Sequence, residues 1–309
     1  MDALPQLLSA VQDNVRHVAV ESLTLPGFVD ALPARLYRPV DVPAPLPGVL
    51  YFHGGGFIGG SLDDAHRPAM AIARQAAAAV LSVAYSLAPA RPFPAAPEDT
   101  YAATRWLHQH AEDYGIDPQR LALAGDDAGG NLAAALSLIL KDRHGPAVAA
   151  QVLIGPMLDP SMTRQGDPRK LRSDLQPETC NDCYAQYLPG PMQRLHPYAS
   201  PLESSRLHDL PPALVATAQC DVLHKEAEQY AAALIAAGVP TQVTRFPVTH
   251  GELPYHPPLL REVAEFLRRR LAPASLAIVD IAPDVAPNAA DNAADSTAAN
   301  AASDPLFHD

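Results

Sequence analysis

Apolar residues in this chain follow two alternating patterns. Short continuous apolar runs are typical of buried strands, whereas apolar residues three and four positions apart are typical of a helix face. We expect strands at residues 18–25, 31–37, 47–52, 80–85, 149–154, 213–218 and 241–246, and helices at residues 67–78, 97–114, 223–237 and 258–271. Residues 121–140 combine both patterns, since a short apolar run leads through a glycine-rich turn into a helix face with Leu132, Leu136 and Leu140. This alternation predicts an α/β fold with a mainly parallel, doubly wound sheet and helices on both faces.

Three segments break the alternation. Residues 160–210 are polar and rich in Pro, Tyr and Met, which is typical of a lid-like insertion between two strands. Residues 1–17 predict only an abbreviated N-terminal cap ahead of a main domain at residues 18–271. Residues 272–309 are dominated by Ala, Asp, Asn and Pro, and their apolar area is too small to offset the entropy of ordering. We therefore expect a disordered tail.

The composition narrows the classes of function. With 309 residues, 48% of them hydrophobic, the chain can bury one large core. Its net charge of -12 disfavours a nucleic-acid partner, because neutralising phosphates requires clustered Lys and Arg. The sequence shows no apolar run long enough to span a bilayer and no signal-peptide pattern at its start. We therefore expect a cytoplasmic protein with no membrane partner.

The cysteines raise the question of a metal site. Cys180 and Cys183 form a CxxC pair, and His250 with Glu252 forms an H-x-E, a combination found in zinc deaminases. In those enzymes the H-x-E precedes the CxxC, whereas here it follows. We therefore expect ordinary thiols, with no metal and no other cofactor.

The sequence GDDAGG at residues 125–130 joins a predicted strand to a predicted helix by a sharp turn. Small residues on both sides of the central position allow the tight geometry of a nucleophile elbow, which usually has the form G-x-S-x-G. Such an elbow projects one side chain over the helix N-terminus. The side chain in that position is the carboxylate of Asp127 instead of a serine hydroxyl.

Other candidate active-site residues follow the ends of other predicted strands. The strand at residues 47–52 leads into HGGGF at residues 53–57, whose glycine N–H groups are free to point at an anion. Asp221 and His250 each follow a later predicted strand. Open α/β sheets place their sites at the carboxyl ends of strands, so the glycine loop, the elbow, the acid and the histidine predict one active site.

With these motifs the chain resembles the α/β-hydrolases of the hormone-sensitive-lipase-like family, the bacterial carboxylesterases and acetyl esterases. The matching segments are HGGGF at 53–57, YSLAPARPFPAAPED at 85–99, GDDAGGN at 125–131, PYASPL at 197–202, CDVL at 220–223 and THG at 249–251. The resemblance implies the α/β-hydrolase fold and a small-molecule ester substrate. It also implies that Asp221 orients His250, the general base. The N–H groups of Gly54, Gly55 and Ala128 are implied to form the oxyanion hole.

The chain departs from the family pattern, above all because the nucleophilic Ser of the family falls on Asp127. A carboxylate attacks an ester poorly and is the better leaving group of the intermediate, so we expect little or no ester turnover. It can also occupy the oxyanion hole and pair with protonated His250, and we hypothesise a self-blocked esterase site. Lesser departures are Ser86 and Ala90, where Arg and Glu are common, and Glu252, where an aromatic residue usually follows His-Gly.

Other interpretations remain open. Haloalkane dehalogenases and epoxide hydrolases use an elbow Asp to attack a saturated carbon, so Asp127 could be a nucleophile of that kind. The chain could also be a non-catalytic small-molecule-binding homologue, as the plant gibberellin receptor is on this scaffold, although that receptor lacks the catalytic His. A homodimer is a further open alternative, because an exposed last strand could pair two copies edge to edge.

Overall fold

The structure, a computed structural model, describes residues 17–273. In chain order the strands and helices are β1 Val18–Pro26, β2 Ala31–Pro39, β3 Leu46–Phe52, α1 His66–Ala76, β4 Ala79–Val83, α2 Ala95–His110, β5 Ile116–Asp126, α3 Ala128–Asp142, β6 Ala150–Ile154, α4 Pro168–Leu171, α5 Pro177–Tyr187, β7 Ala213–Cys220, α6 His224–Ala236, β8 Thr241–Thr249 and α7 Pro257–Arg270. Within the described residues, eight strands form one sheet in the order β1-β2-β4-β3-β5-β6-β7-β8. β2 pairs in antiparallel fashion with both β1 and β4, and the other neighbouring strands pair in parallel. The predicted mainly parallel, doubly wound sheet is confirmed.

The core lies on both faces of this sheet. In β3, Val49 and Tyr51 pack on one face, whereas Leu50 and Phe52 pack on the other. Side chains of α1 and α7 join the first cluster, and side chains of α2, α3 and α6 join the second. Both faces are therefore covered by helices, which is the condition under which a parallel sheet is stable.

One predicted helix is shorter than its pattern suggested. The helix expected at residues 97–114 is α2, which ends at His110, followed by a separate 3₁₀ turn at Glu112–Tyr114. Gly115 ends this turn, because it adopts a left-handed φ of 67° and its N–H bonds back to Glu112 O. The chain then turns directly into β5.

The insertion at residues 160–210 lies between β6 and β7 and contains α4, α5 and the 3₁₀ turns Pro191–Leu195 and Pro201–Glu203. The predictions of an N-terminal cap and of a disordered tail fall on residues 1–16 and 274–309, which lie outside the described part of the chain. Of the helices in residues 17–273, none combines the length and the apolar character that crossing a membrane requires.

Candidate active site

A sharp turn between β5 and α3 carries Asp127. The residue has a left-handed backbone with φ 53° and lies immediately before the first residue of α3. Glycine is required on both sides: a Cβ on Gly125 would lie 2.2 Å from Gly129 O, and a Cβ on Gly129 would lie 1.9 Å from Phe52 O. The turn therefore has the predicted elbow geometry, with a carboxylate at its apex.

This close approach makes Gly129→Ala a severe substitution. The added methyl group would overlap the backbone of Phe52, so we expect the free energy of unfolding to fall by about 3 kcal/mol. Urea denaturation measures the loss. Gly59→Ala is the matched control, because its Cβ would have its nearest neighbour at 3.6 Å, an ordinary contact. Equal unfolding free energies for the two variants would contradict the account of the elbow.

The glycine loop after β3 faces the carboxylate of Asp127. The N–H groups of Gly55 and Gly56 donate to Asp127 Oδ2 at 2.9 and 2.8 Å. Gly54, the other loop glycine predicted as an oxyanion-hole donor, has its N–H directed at the carboxylate of Asp126. Its predicted role towards a substrate oxyanion stays a prediction. The positive φ of Gly55 and Gly56, 115° and 61°, turns their N–H groups towards the elbow.

His250 connects the elbow to a buried acid. Its Nδ1 lies 2.9 Å from Asp221 Oδ2, and the carboxylate of Asp221 is fully buried at the end of β7. The other oxygen of Asp221 accepts the N–H of Leu223 at 2.9 Å, which fixes the carboxylate. His250 Nε2 lies 3.6 Å from Asp127 Oδ1, an ion-pair distance that is longer than a hydrogen bond. The structure thus brings together the predicted Asp127, His250 and Asp221.

The charges of these side chains are coupled. Burial raises the pKa of Asp127, but its interaction with His250 and the N–H groups of Gly56 and Gly55 together lower the pKa below its ordinary value. Burial lowers the pKa of His250, but Asp221 and Asp127 together raise it well above its ordinary value. These shifts favour a protonated His250 paired with an ionised Asp127. A general base requires the neutral imidazole instead.

Asp126 supports the elbow from β5. Tyr51 OH donates to Asp126 Oδ1 at 2.6 Å, so the carboxylate ties β3 to the elbow. Burial and the neighbouring charge of Asp127 outweigh the hydrogen bond from Tyr51 and raise the pKa of Asp126 to about 7. The carboxyl group of Asp126 is therefore partly protonated at neutral pH.

The raised pKa of Asp126 predicts a pH-dependent stability. The unfolded carboxyl ionises near its ordinary pKa of 3.8 while the folded one stays protonated up to about 7, so its ionisation destabilises the fold as pH rises through this interval. Asp126→Asn cannot ionise. We expect its free energy of unfolding to rise relative to the parent from about pH 4 to about pH 7, by at most about 4 kcal/mol, and then to level off.

Urea denaturation over a pH series measures this difference. Asp182→Asn, which removes an exposed carboxylate on α5, is the control and should follow the parent. A constant difference between Asp126→Asn and the parent at all pH values would contradict the raised pKa.

A cavity of about 530 Å³ opens beside Asp127 and His250. Cys180 and Cys183, from α5, form part of its wall. Burial raises the pKa of both thiols, that of Cys183 to about 11, so they remain neutral and behave as small apolar groups. Within residues 17–273, no group of three or more His, Cys, Asp or Glu side chains is placed to hold a metal ion.

The structure adds site residues that the sequence patterns did not indicate. Gly56 lies in the predicted glycine loop but was not among the donors implied by the family. Asp174, in the insertion, had no sequence signal at all: it accepts the backbone N–H groups of His250 and Gly251 at 3.0 and 2.9 Å. No motif surrounds Asp174, which lies 76 positions from His250 along the chain. Only the path of the insertion over the sheet brings the two together.

Comparisons with known proteins show similarity to hydrolases over most of the chain. Residues 49–252 match a family described by the alpha/beta hydrolase fold. Ethyl acetate hydrolase of Pseudomonas putida is 41% identical over 228 residues, which cover 71% of this chain and 70% of that protein. Carboxylesterase NlhH of Mycobacterium tuberculosis is 38% identical over 256 residues, which cover 80% of this chain and 77% of that protein.

Solved esterase structures also share the fold of this chain. A hyperthermophilic esterase from the archaeon Pyrobaculum calidifontis is 35% identical and superposes with a TM-score of 0.76 over 86% of this chain and 88% of that one. A thermostable carboxylesterase cloned from a metagenomic library is also 35% identical, with a TM-score of 0.78 over 87% and 94%. This chain belongs to the hormone-sensitive-lipase-like family of α/β-hydrolase carboxylesterases.

Proposed function

We propose that this chain carries the site of a small-ester carboxylesterase in which the side chain of Asp127 suppresses ester turnover. The observation that supports the proposal is the position of Asp127 Oδ2, which accepts the N–H groups of both Gly55 and Gly56. A substrate oxyanion would need the same two donors. The carboxylate therefore competes with the transition state for its main stabilising contacts.

The proposed suppression has a second cause in proton transfer. In a serine enzyme of this type, His250 would take the hydroxyl proton as the nucleophile attacks, and Asp221 would stabilise the imidazolium. Here Asp127 has no proton to give, and its negative charge holds His250 in the protonated form. Attack by the carboxylate on an ester would create an intermediate whose better leaving group is that same carboxylate, so the intermediate would collapse to the starting ester.

We propose short-chain esters as the ligands of this cavity. Its volume of about 530 Å³ lies in the range of sites for small molecules. The apolar thiols of Cys180 and Cys183 suit an acyl or alcohol group without charge. The name of one relative, an ethyl acetate hydrolase, supports the same class of substrate.

Covalent labelling tests whether position 127 is the nucleophile position. A fluorophosphonate reacts with an activated serine hydroxyl, and intact mass spectrometry detects the adduct. We expect no adduct on the parent chain and one adduct at position 127 in Asp127→Ser. An adduct elsewhere in Asp127→Ser, or none, would contradict the proposed site.

The geometry also supports Asp127 as a nucleophile towards saturated carbon. Asp127 Oδ1 could attack an alkyl halide, and the C–X bond would break as the halide leaves with its electron pair. The resulting alkyl ester would keep its carbonyl oxygen, Oδ2, between the N–H groups of Gly55 and Gly56. It would also remove the charge of Asp127, one of the two charges that raise the pKa of His250. His250 could then take a proton from water that attacks Cγ, and return it to the departing alcohol.

Halide release from a small panel of haloalkanes tests this second candidate. We expect release by the parent chain and none by Asp127→Ala, with His250→Ala accumulating one alkyl adduct by mass. Absence of release from every haloalkane rejects it. If the chain turns over neither esters nor haloalkanes and a small ester raises its melting temperature, the binding-homologue alternative gains instead.

A homodimer through β8 remains a proposal. This strand forms one edge of the sheet, and its Val243 is 42% exposed. Sedimentation equilibrium of the parent and of Val243→Asp decides it: the proposal requires a dimeric mass for the parent that falls in the variant.

A further inference from the structure

The turn that carries His250 is held by two carboxylates besides that of Asp221. Glu252 Oε2 accepts the N–H of Thr249 at 3.0 Å and its hydroxyl at 3.1 Å. Asp174 accepts the next two N–H groups, that of His250 at 3.0 Å through Oδ1 and that of Gly251 at 2.9 Å through Oδ2. Three consecutive N–H groups around the catalytic histidine therefore have carboxylate acceptors.

The two carboxylates come from different parts of the chain. Glu252 belongs to the turn itself. Asp174 belongs to the insertion between β6 and β7, and its neighbour Leu175 lines the cavity. Because both oxygens of Asp174 are engaged, the insertion is fastened to the turn at two adjacent points. A shift of the insertion away from the sheet would break both hydrogen bonds together.

The ring of His250 depends on two anchors. Asp221 holds the ring at Nδ1, whereas Asp174 holds the backbone N–H from which the side chain projects. Asp221 alone leaves the ring free to pivot about that contact, since a single hydrogen bond fixes one atom. The backbone anchor holds a second point, the Cα from which the ring projects, and so limits the directions open to Nε2.

From these contacts we infer that Asp174 is a positioning residue for His250, and that the insertion acts on catalysis through it as well as through the cavity wall. Glu252 fixes the preceding residue of the turn by accepting the N–H and the hydroxyl of Thr249. This role of Asp174 adds to the proposed ester chemistry. Only the measurement of kcat depends on that chemistry, whereas the measurement of amide exchange does not. A displacement of a catalytic group by about 1 Å can lower the rate about 10²-fold, so a loosened turn should reduce kcat strongly.

The experiment uses Asp174→Ala and Asp174→Asn, with Asp182→Ala as the matched control. Asp182 is an exposed carboxylate on α5 in the same insertion, and the hydrogen bonds of the turn come from other residues. Amide hydrogen exchange is followed at His250 and Gly251 in the chain with Asp127 in place. Hydrolysis of p-nitrophenyl acetate is followed in the Asp127→Ser background.

Asp174→Ala should speed exchange at both amides about tenfold or more, because each loses a charged acceptor. In the Asp127→Ser background it should lower kcat about 10²-fold with little change in KM, since the cavity wall is kept. Asp174→Asn retains one acceptor oxygen and should lie between the parent and Asp174→Ala in both measurements.

Unchanged exchange at both amides in Asp174→Ala would overturn the inference, as would equal effects of Asp174→Ala and Asp182→Ala. So would a kcat equal to that of the Asp127→Ser background. If Asp127→Ser proves inactive, the proposed ester chemistry fails by itself, and the exchange measurement still decides whether Asp174 holds the turn.

Discussion

Asp127→Ser is expected to raise the turnover of p-nitrophenyl acetate on the order of 10⁶-fold, the loss measured when a catalytic nucleophile of this kind is removed. The substitution supplies a hydroxyl nucleophile and frees the N–H groups of Gly55 and Gly56 for the substrate oxyanion. It also removes one of the two negative charges that raise the pKa of His250, so that the imidazole can act as a base. Release of p-nitrophenol under steady-state conditions gives kcat and KM.

Asp127→Ala is the matched control for this gain. It frees the two N–H groups and removes the charge, but it supplies no nucleophile, so its turnover should stay close to that of the parent. Turnover by the parent chain that matches Asp127→Ser would show that the carboxylate does not suppress the reaction. Equal gains in Asp127→Ser and Asp127→Ala would show that position 127 supplies no nucleophile.

The second large effect is expected from His250. In the Asp127→Ser background, His250→Ala should lower kcat again on the order of 10⁶-fold, because nucleophile and base act as one unit. The structure supports this dependence, since His250 Nε2 faces the elbow and Nδ1 is fixed by buried Asp221. The same p-nitrophenyl acetate assay measures the loss.

His208→Ala provides the comparison for this substitution. His208 is exposed and its Nδ1 lies 2.7 Å from Asp209, away from the cavity, so its removal should leave kcat unchanged. Retention of most of the activity in Asp127→Ser with His250→Ala would mean that another group accepts the proton. The proposed roles of His250 and Asp221 would then be withdrawn.

The fold could be predicted from the sequence because its strands and helices have distinct apolar patterns. Residues 47–52 are a continuous apolar run, and in the sheet β3 lies between β4 and β5 with Val49 and Leu50 buried on opposite faces. The end of α2 was less predictable. Its helical spacing continues past His110, and a single left-handed glycine, Gly115, ends the segment.

The core of the candidate site could be predicted because motif order places strand ends side by side. Asp127, Asp221 and His250 each follow a parallel strand, and parallel strands present their carboxyl ends at one edge. The choice among neighbouring glycines could not be predicted. The family resemblance implies Gly54 and Gly55, whereas in the structure the N–H groups of Gly55 and Gly56, both with positive φ, face the elbow.

The contacts that the insertion makes with the site could not be predicted from the sequence. Asp174 lies in a polar segment where a single Asp carries no periodic signal, and its partners are backbone N–H groups that leave no trace in composition. The sequence likewise did not indicate Tyr51 as the hydrogen-bond partner of Asp126. A tyrosine within an apolar run is expected to be a core residue, and Tyr51 is also fully buried. Such contacts depend on the path of the chain in space.

The protonation state of His250 shows whether the charge of Asp127 suppresses the site. Ring nitrogen shifts of His250, followed by NMR through a pH titration, distinguish the imidazolium from the neutral ring. The carboxylate of Asp127 should hold His250 as an imidazolium through neutral pH, with a pKa well above 6.5 that falls in Asp127→Asn. A neutral ring at neutral pH in the parent chain, or the same pKa in both proteins, would contradict the ion pair on which the suppressed site depends.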